Sequence, residues 1–406
     1  MSQSRPSRPT HPRRILIAGG GVAALEALLA LERHARELVK VELLAPDAEF
    51  RYRPLSVAEP FGLGKAATLG LEAFAAAHGA RLRRGALAAV DSARKEVRTT
   101  DDEVVPYDAL LLACGARPRE AVPGALTFSG SEDADALRAV LGEAEHGELG
   151  HVAFVLPRGA SWPIPLYELA LMSAAHLARV APAAQPRLTV VTHERAPLEL
   201  FGAVASEAVA TLLRQAEIDF LSHAHPTAFE AGVLRLVPHD LRADRVVALP
   251  RLVGPAPEGL PHDAEGFVAI DRHGRVPGAA DVYAAGDATD FPIKHGGLAA
   301  EQADAAAEAI AAWAGAPIEP APFRPVLRGR LLTGGAPVYV RAALSPGPGE
   351  TSRADDRPLW WPPTKIAGRL LGPALSAAAI DAPAPQLFPF LDVQVDLDEA
   401  RTFAGA

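Results

Sequence analysis

Short apolar runs alternate with longer segments of helical spacing along most of the chain. Residues 14–18 have the composition of a strand, and residues 22–31 are apolar apart from Glu26, with leucines at helical spacing. Further strands are predicted at residues 40–44, 109–114, 152–156, 188–192, 267–271 and 282–285, with several more between 233 and 253. Further helices are predicted at residues 71–78, 131–145, 166–180, 203–216 and 297–313. This alternation predicts an α/β fold, with a meander of antiparallel strands at residues 81–91 and 96–106.

The stretch between the first strand and the first helix carries the pattern G-x-G-x-x-A, with Gly19, Gly21 and Ala24 at its small positions. In a dinucleotide-binding unit the first glycine permits a tight turn and the second lets the backbone approach a pyrophosphate. The third small residue keeps helix and strand close. The phosphates would then meet free N–H groups at the helix start, around Val22 and Ala23. The alternative is a glycine-rich turn without a ligand.

Two further stretches near this turn are candidates for contact with a nucleotide. The second strand is followed by Asp47 and Glu49, and an acid at this place commonly holds the adenosine ribose. Residues 50–60 contain two arginines, two aromatic residues and two prolines, and Arg53 and Pro54 are the candidate contacts there. The alternative for these residues is a loop that only covers a sheet edge.

Composition excludes several classes of function. The chain has 406 residues, enough for two or three domains, and its net charge of −9 gives no electrostatic case for binding nucleic acid. No apolar stretch is long enough to span a bilayer, and residues 1–13 predict a flexible tail rather than a secretory signal. A cytoplasmic location is therefore expected. Peripheral membrane contact through residues 364–379 and a homodimer stay open, although acids among residues 392–406 disfavour an anchor on an anionic surface.

The only cysteine is Cys114. An intramolecular disulfide, structural or redox-active, and a cysteine-based metal cluster are therefore both excluded. The 13 histidines show no metal-ligand spacing, so no metal site is predicted. Because Cys114 ends an apolar strand, a small buried residue is expected there rather than a nucleophile.

Three separated stretches together resemble the pyridine nucleotide-disulfide oxidoreductase family. They are the glycine turn, the strand end with Cys114 and Gly115, and residues 281–287, which end in Gly286 and Asp287. The resemblance implies FAD as cofactor, with Cys114 in place of the threonine of an Ala-Thr-Gly motif. It also implies that the carboxylate of Asp287 accepts hydrogen bonds from the ribityl chain.

The same resemblance implies how the chain is divided into domains. It indicates two Rossmann-like domains, of FAD- and NAD(P)-binding type, with a smaller C-terminal cap. The FAD-binding domain would be formed by residues 14–125 and 260–322, the second domain by residues 126–259, and the cap or interface region by residues 323–406. Gly297 and Leu298 would open a helix whose N–H groups meet the flavin pyrimidine oxygen.

Within the family, residues 291–298 and 359–362 look most like one branch. It contains sulfide:quinone oxidoreductases, flavocytochrome c sulfide dehydrogenase flavoprotein subunits and type II NADH dehydrogenases, which pass two electrons through FAD to a quinone or a cytochrome. One cysteine cannot form the redox pair of the sulfide oxidisers. Residues 158–165, with bulky Trp162, replace the second glycine fingerprint of the NADH oxidisers. Trp360 and Trp361 are expected to cover the flavin or shape a quinone pocket, with plain core packing as the alternative.

Three side chains are candidate catalytic groups. Lys294 precedes the flavin helix, where it would raise the flavin potential or hold an anionic substrate; a solvated surface charge is the alternative. His295 would relay a proton, and Glu168 falls where members of the family often keep a glutamate near the flavin. Glu194 follows the next strand, where an acid would hold a ribose.

The predicted function is an FAD-dependent oxidoreductase that passes two electrons from a small-molecule reductant through the flavin, without a redox disulfide. The expected acceptor is a quinone or another electron carrier, and NAD(P)H stays open as the donor because Glu168 and Glu194 favour it while the missing glycines oppose it. The alternative is a flavin-bearing electron-transfer or partner-binding subunit with little activity alone.

Overall fold

The computed structural model describes residues 11–160, 162–344 and 352–381. Most of the flexible tail predicted for residues 1–13 lies outside these ranges, as do the acidic residues 392–406. No helix in these ranges is long and apolar enough to cross a membrane.

Strands and helices alternate through the described ranges, as the hydrophobic pattern predicts. The α-helices there are α1 (Val22–Ala35), α2 (Leu71–Ala77), α3 (Ala134–Glu145), α4 (Ile164–Val180), α5 (Ala203–Gln215), α6 (Gly296–Trp313) and α7 (Leu371–Ala377). The strands up to residue 112 are β1 (Arg13–Ala18), β2 (Val39–Ala45), β3 (Glu49–Arg51), β4 (Thr68–Gly70), β5 (Arg81–Arg84), β6 (Leu87–Asp91), β7 (Glu96–Thr99), β8 (Val104–Pro106) and β9 (Ala109–Leu112).

The remaining strands belong to the middle and the C-terminal part of the chain. Those of the middle part are β10 (Arg117–Arg119), β11 (Leu126–Thr127), β12 (His151–Leu156), β13 (Arg187–Thr192), β14 (Ile218–Leu221), β15 (His225–Glu230), β16 (Val233–Val237), β17 (Leu241–Arg242), β18 (Arg245–Ala248) and β19 (Arg251–Val253). The last four are β20 (Val282–Ala284), β21 (Val326–Leu331), β22 (Val338–Ala343) and β23 (Arg353–Asp355).

The first parallel sheet has the strand order β20-β9-β1-β2-β5. It takes its strands from two distant segments of the chain, residues 13–84 and 109–112 on one side and 282–284 on the other. On one face α1 and α6 pack against each other, where buried alanines such as Ala27, Ala303 and Ala306 allow close approach. Apolar side chains of the β6-β7-β8 sheet cover the other face, with Val97 and Val105 buried there. These contacts bring the two segments into one domain.

The second parallel sheet has the order β11-β18-β12-β13-β14. Apolar residues of α3, α4 and α5 are buried in one core cluster with Phe154 and Leu156 of β12. Leu234 and Leu236 of the β15-β16-β17 sheet are buried with Val155 in another cluster. The antiparallel pair β10-β19 connects the two halves of the molecule. The fold is therefore α/β with two Rossmann-like domains, as predicted from the sequence.

Three local predictions were wrong. Residues 81–84 are not part of the meander, because β5 pairs in parallel with β2 at the edge of the first sheet. Residues 267–271 form no strand and contribute only an isolated bridge between Val268 and Thr289. Residues 50–60 are not an irregular loop, since they contain β3 and a 3-10 helix at Arg53–Phe61 with Pro54 near its start. Hydrophobic periodicity does not indicate which distant segment a strand pairs with. It also does not distinguish a 3-10 helix from a loop.

The C-terminal part contains the antiparallel β21-β22-β23 sheet and α7. Glu26, the one charged residue in the apolar stretch of α1, is fully buried and accepts N–H bonds from Leu370 at 2.7 Å and Leu371 at 2.8 Å. A buried carboxylate needs such donors to offset its lost hydration. Glu26 therefore fastens the C-terminal part to the first domain.

A second buried network lies close to the first. The carboxylate of Asp381 accepts bonds from the Tyr52 hydroxyl, from the Arg330 guanidinium at 2.5 Å and from the Lys365 backbone N–H at 2.6 Å. Asp381 and Arg330 are 2 % and 6 % exposed. This network ties residues 363–366 to both the first domain and β21.

Candidate active site

A cavity of about 1120 Å³ lies at the carboxyl ends of four strands of the first sheet. The residues that follow β1, β2, β9 and β20 all contribute to its wall, which is where ligands bind in open α/β sheets. Its volume lies above the range of about 300–1,000 Å³ that is common for small-molecule sites. The cavity, here called the first cavity, is therefore large enough to be a candidate site for a dinucleotide.

Glycine stands at the two outer positions of the turn for two different structural reasons. Gly19 has a φ of 140°, and a Cβ on it would lie 2.1 Å from the carbonyl oxygen of Ala113. Gly21 caps α1 with an ordinary φ of −91°, and a Cβ on it would meet no protein atom within 4 Å. Gly19 is thus required by the fold. Gly21 leaves open space in the cavity at the positive end of a 14-residue helix.

Most of the predicted cofactor-binding residues line this cavity. Those on its wall are Gly19, Gly21, Val22, Ala23, Asp47, Arg53, Pro54, Cys114, Gly115, Gly286 and Asp287. Ala24 is fully buried behind the turn and does not reach the wall. At the start of α6 the wall is formed by Gly296 and Ala299 rather than by the predicted Gly297 and Leu298, because the helix begins one residue earlier than expected and turns those two inward.

Asp287 faces the cavity and makes no hydrogen bond with any residue in the described ranges. Burial raises the pKa of its carboxyl, while the charges of Lys294 and Arg53 oppose that rise. A carboxylate without protein donors at the wall of a cavity is suited to accept hydrogen bonds from ligand hydroxyls. Gly21 and Asp287 are the two features that fit FAD best.

Cys114 is exposed to the cavity and not buried, which corrects the sequence-based expectation. Its Sγ donates to the carbonyl oxygen of Ala18 at 3.3 Å. Desolvation by the surrounding protein raises the pKa of the thiol to about 11. The residue is therefore a neutral thiol near pH 7 and a poor nucleophile.

A second cavity of about 250 Å³ adjoins the first. The two share Arg53, Pro54, Gly296 and Ile366 as wall residues. The second cavity contains all three predicted catalytic groups, Lys294, His295 and Glu168, which come from the residues before α6 and from α4. It is thus the part of the molecule where a substrate would lie next to a ligand of the first cavity.

Lys294 is 8 % exposed, so it is not a solvated surface charge. Its Nζ donates to the carbonyl oxygen of Thr289 and lies 3.8 Å from the centre of the Phe267 ring. Burial lowers the pKa of the ammonium group to about 8, against the opposing charges of Asp287 and Asp290. Lys294 therefore remains mostly protonated at pH 7 and brings a partly desolvated positive charge to the cavity wall.

His295 precedes α6 and stacks on Trp162, with the ring centres 4.1 Å apart. Burial lowers the pKa of its imidazole to about 3, and the charges of Arg328 and Lys365 act in the same direction. The ring is therefore neutral near pH 7. This disfavours the predicted role of His295 as a proton donor.

Glu168 forms a buried ion pair with Lys365, whose Nζ donates to its two carboxylate oxygens at 2.6 and 2.8 Å. Glu168 also accepts an N–H bond from Leu332 at 2.9 Å, and the Lys365 Nζ donates to the Pro54 carbonyl oxygen at 2.9 Å. Burial raises the pKa of Glu168 and lowers that of Lys365, and each partner opposes the shift of the other. Both carboxylate oxygens of Glu168 are therefore already engaged by Lys365, and the side chain is 1 % exposed.

Sequence reasoning missed Lys365 and Arg330, which line the second cavity from the C-terminal part. Lysine is rare in this chain, with only five residues, and this rarity was a signal that could have singled out Lys365. Two of the five, Lys294 and Lys365, line the second cavity. Trp360 and Trp361, which were expected to cover the flavin or shape a quinone pocket, line neither of these cavities. Trp361 is 85 % exposed, while Trp360 packs edge-on against Tyr339.

The second domain shows little sign of a nicotinamide site at the turn after β12. Trp162 from that turn reaches across to His295. Glu194 is 4 % exposed and accepts bonds from the Tyr167 hydroxyl at 2.5 Å and from Thr192 Oγ1 at 3.1 Å. Burial raises the pKa of Glu194 to about 7. The acid that would hold a ribose is thus turned inward and already bonded.

Comparisons with known proteins identify the family of the chain. The model of the family described as pyridine nucleotide-disulphide oxidoreductase matches residues 13–310. A curated relative, the probable ferredoxin reductase CtmF of Castellaniella defragrans, is 29 % identical over 307 residues, covering 69 % of this chain and 68 % of the relative.

Solved structures show the same fold at low sequence identity. The sulfide:quinone oxidoreductase of Aquifex aeolicus superimposes with a TM-score of 0.74 at 18 % identity, over 85 % of this chain and 87 % of that one. The ferredoxin reductase of the CYP199A2 system of Rhodopseudomonas palustris gives a TM-score of 0.62 at 18 % identity, over 82 % and 83 %.

Proposed function

This chain belongs to the pyridine nucleotide-disulphide oxidoreductase family, and from that premise we propose that it is an FAD-dependent oxidoreductase working without a redox disulfide. It passes two electrons from a small reductant through FAD to a quinone or another electron carrier. The observation that carries the proposal is the first cavity, which is bordered both by the open space at Gly21 and by the unbonded carboxylate of Asp287.

Each residue has a defined task in this proposal. The N–H groups at the start of α1 hold the pyrophosphate, and Asp287 holds ribityl hydroxyls. The start of α6 at Gly296 borders both cavities, so its positive end stabilises negative charge that develops between them. Bound FAD would supply the two-electron chemistry, and the second cavity would hold its reaction partner.

The donor is proposed to reach the second cavity directly rather than through a nicotinamide site in the second domain. The inward-facing Glu194, the Glu168–Lys365 pair and the stacked Trp162 support this choice. NADH and NADPH are therefore the less favoured donors.

A protein electron carrier is a second candidate for the acceptor, and one surface feature favours it. Arg117 and Arg119 of β10 and Arg251 of β19 are exposed, and Arg119 lies directly opposite Arg251 in the paired strands. Like charges in this position repel each other, and none of the three forms an ion pair within the described ranges. Arg117 also lines the first cavity, so an acidic carrier would dock beside it. The curated relative is a probable ferredoxin reductase, which agrees with this candidate.

The proposal is tested by following the flavin absorption band under anaerobic conditions. The purified protein is expected to become yellow with FAD, to stay oxidised with NADH or NADPH, and to be reduced by an external photoreductant. A water-soluble quinone or an acidic ferredoxin is then added, and return of the flavin absorption band identifies the acceptor. A protein that stays colourless with FAD, or a reduced flavin that neither acceptor reoxidises, would contradict the proposal.

Removal of the only thiol should have little effect. Cys114→Ala is expected to change FAD affinity and turnover by less than about twofold, because a neutral thiol contributes neither a nucleophile nor a disulfide. The measurement is steady-state turnover with the acceptor found above. A loss of more than about tenfold would show that the thiol takes part in the reaction.

A further inference from the structure

The second cavity has an unusual balance of charge for a site with largely apolar walls. Four cationic side chains line it, namely Arg53, Lys294, Arg330 and Lys365, against one carboxylate, Glu168. Lys365 is neutralised by Glu168 and Arg330 by Asp381 behind the wall. Lys294 and Arg53 remain without an ion-pair partner within the described ranges.

Lys294 keeps hydrogen-bonding capacity. It donates one bond, to the Thr289 carbonyl oxygen, although an ammonium group has three donors. Arg330 is already engaged, because its guanidinium interacts with Pro363, Asp381 and the Tyr339 hydroxyl. Buried donors usually have acceptors, whereas Lys294 lacks further acceptors within the described ranges. A bound anion would supply them.

The volume of the second cavity and the chemistry of its wall limit which anions can bind there. A volume of about 250 Å³ equals that of about eight water molecules at roughly 30 Å³ each. Most of the remaining wall is apolar and includes Phe128, Trp162 and Ile164, beside Ser56, Ser129 and the neutral His295. These surfaces suit a ring or a branched alkyl group of modest size, and they exclude a nucleotide.

We propose that the second cavity binds a small organic monocarboxylate, with its carboxylate at Lys294 and its apolar body against Trp162 and Ile164. This inference rests on the proposed function for the role of that ligand as the reaction partner of the flavin. The binding itself requires only the cavity. Lys294 is then the group that selects an anion over a neutral molecule of the same shape.

The experiment compares carboxylates with their amides. Benzoate and 3-methylbutanoate, each against the matching amide, are titrated into the FAD-loaded protein by calorimetry. At least one carboxylate is expected to bind with a dissociation constant below about 1 mM, and its amide at least tenfold more weakly. Lys294→Met should reduce the carboxylate affinity at least tenfold and leave the amide unchanged. Lys65→Met, which changes an exposed lysine that lines neither cavity, is the matched control and should alter the affinity for neither compound.

Equal binding of carboxylate and amide, or no binding of either pair, would overturn the inference and would mean that the positive charge serves the flavin alone. The comparison on the unaltered protein decides the matter even if Lys294→Met does not fold. Failure of the proposed function is seen separately in the same samples, because a protein that has not bound FAD lacks the flavin absorption band.

Discussion

Replacing Gly21 by valine lowers the affinity for FAD by about a hundredfold or more, equal to about 2.7 kcal/mol, and leaves the unfolding temperature of the apoprotein nearly unchanged. A Cβ at this position meets no protein atom within 4 Å, and the backbone angles there are open to any residue. The added methyl groups would therefore occupy only the space beside the N–H groups that are proposed to hold the pyrophosphate. The measurement is a titration of apoprotein with FAD, followed by flavin fluorescence, together with thermal unfolding.

Gly19→Ala is the matched comparison for this prediction. Its Cβ would lie 2.1 Å from the Ala113 carbonyl oxygen, and its φ of 140° is strained for alanine. Both FAD binding and folding of the apoprotein should therefore be lost. If Gly21→Val bound FAD like the unaltered protein, the first cavity would not be the FAD site.

Replacing Asp381 by alanine reduces the free energy of unfolding by about 3–5 kcal/mol. The carboxylate of Asp381 accepts bonds from Tyr52, Arg330 and Lys365, and its removal leaves the Arg330 guanidinium buried without a counter-charge. An uncompensated buried charge is among the costliest defects that one substitution can introduce. Urea-induced unfolding of the two proteins measures the difference.

Asp135→Ala is the control for the substitution at Asp381. The Asp135 side chain is fully exposed, and its contact with Arg138 is 4.0 Å long, so its loss should leave the urea midpoint unchanged within the error of the measurement. A similarly small change for Asp381→Ala would mean that the buried network does not hold the C-terminal part in place.

The parts of the fold that were predicted correctly are those encoded locally. The turn at Gly19, the helix that follows it and the long helix that ends at Trp313 all follow from periodicity and from glycine chemistry over a few residues. The fold class follows as well, because alternating strands and helices leave few arrangements of a parallel sheet. Most of the candidate cofactor residues cluster because they follow strands of the same sheet, whereas Arg53 and Pro54 reach the cavity from the 3-10 helix after β3.

The chemistry of the second cavity was not predictable in the same way. Glu168 was singled out without its partner, because Lys365 lies 197 residues further along the chain. Glu194 was interpreted as a ribose ligand, and only the packing of α4 shows that the Tyr167 hydroxyl bonds it. Hydrophobic patterns indicate which face of an element is buried. They do not indicate which polar groups meet there.

The attachment of Leu370 and Leu371 to Glu26 has a consequence for how the protein is made. The two bonded groups are 344 and 345 residues apart in the chain. At a synthesis rate of about 5–20 residues per second, roughly 17–70 s pass between the synthesis of Glu26 and that of its hydrogen-bond donor Leu370. The same late segment brings Ile366 to both cavities and Lys365 to the second. A nascent chain therefore has its glycine turn early, but it completes the walls of both cavities only near the end of translation.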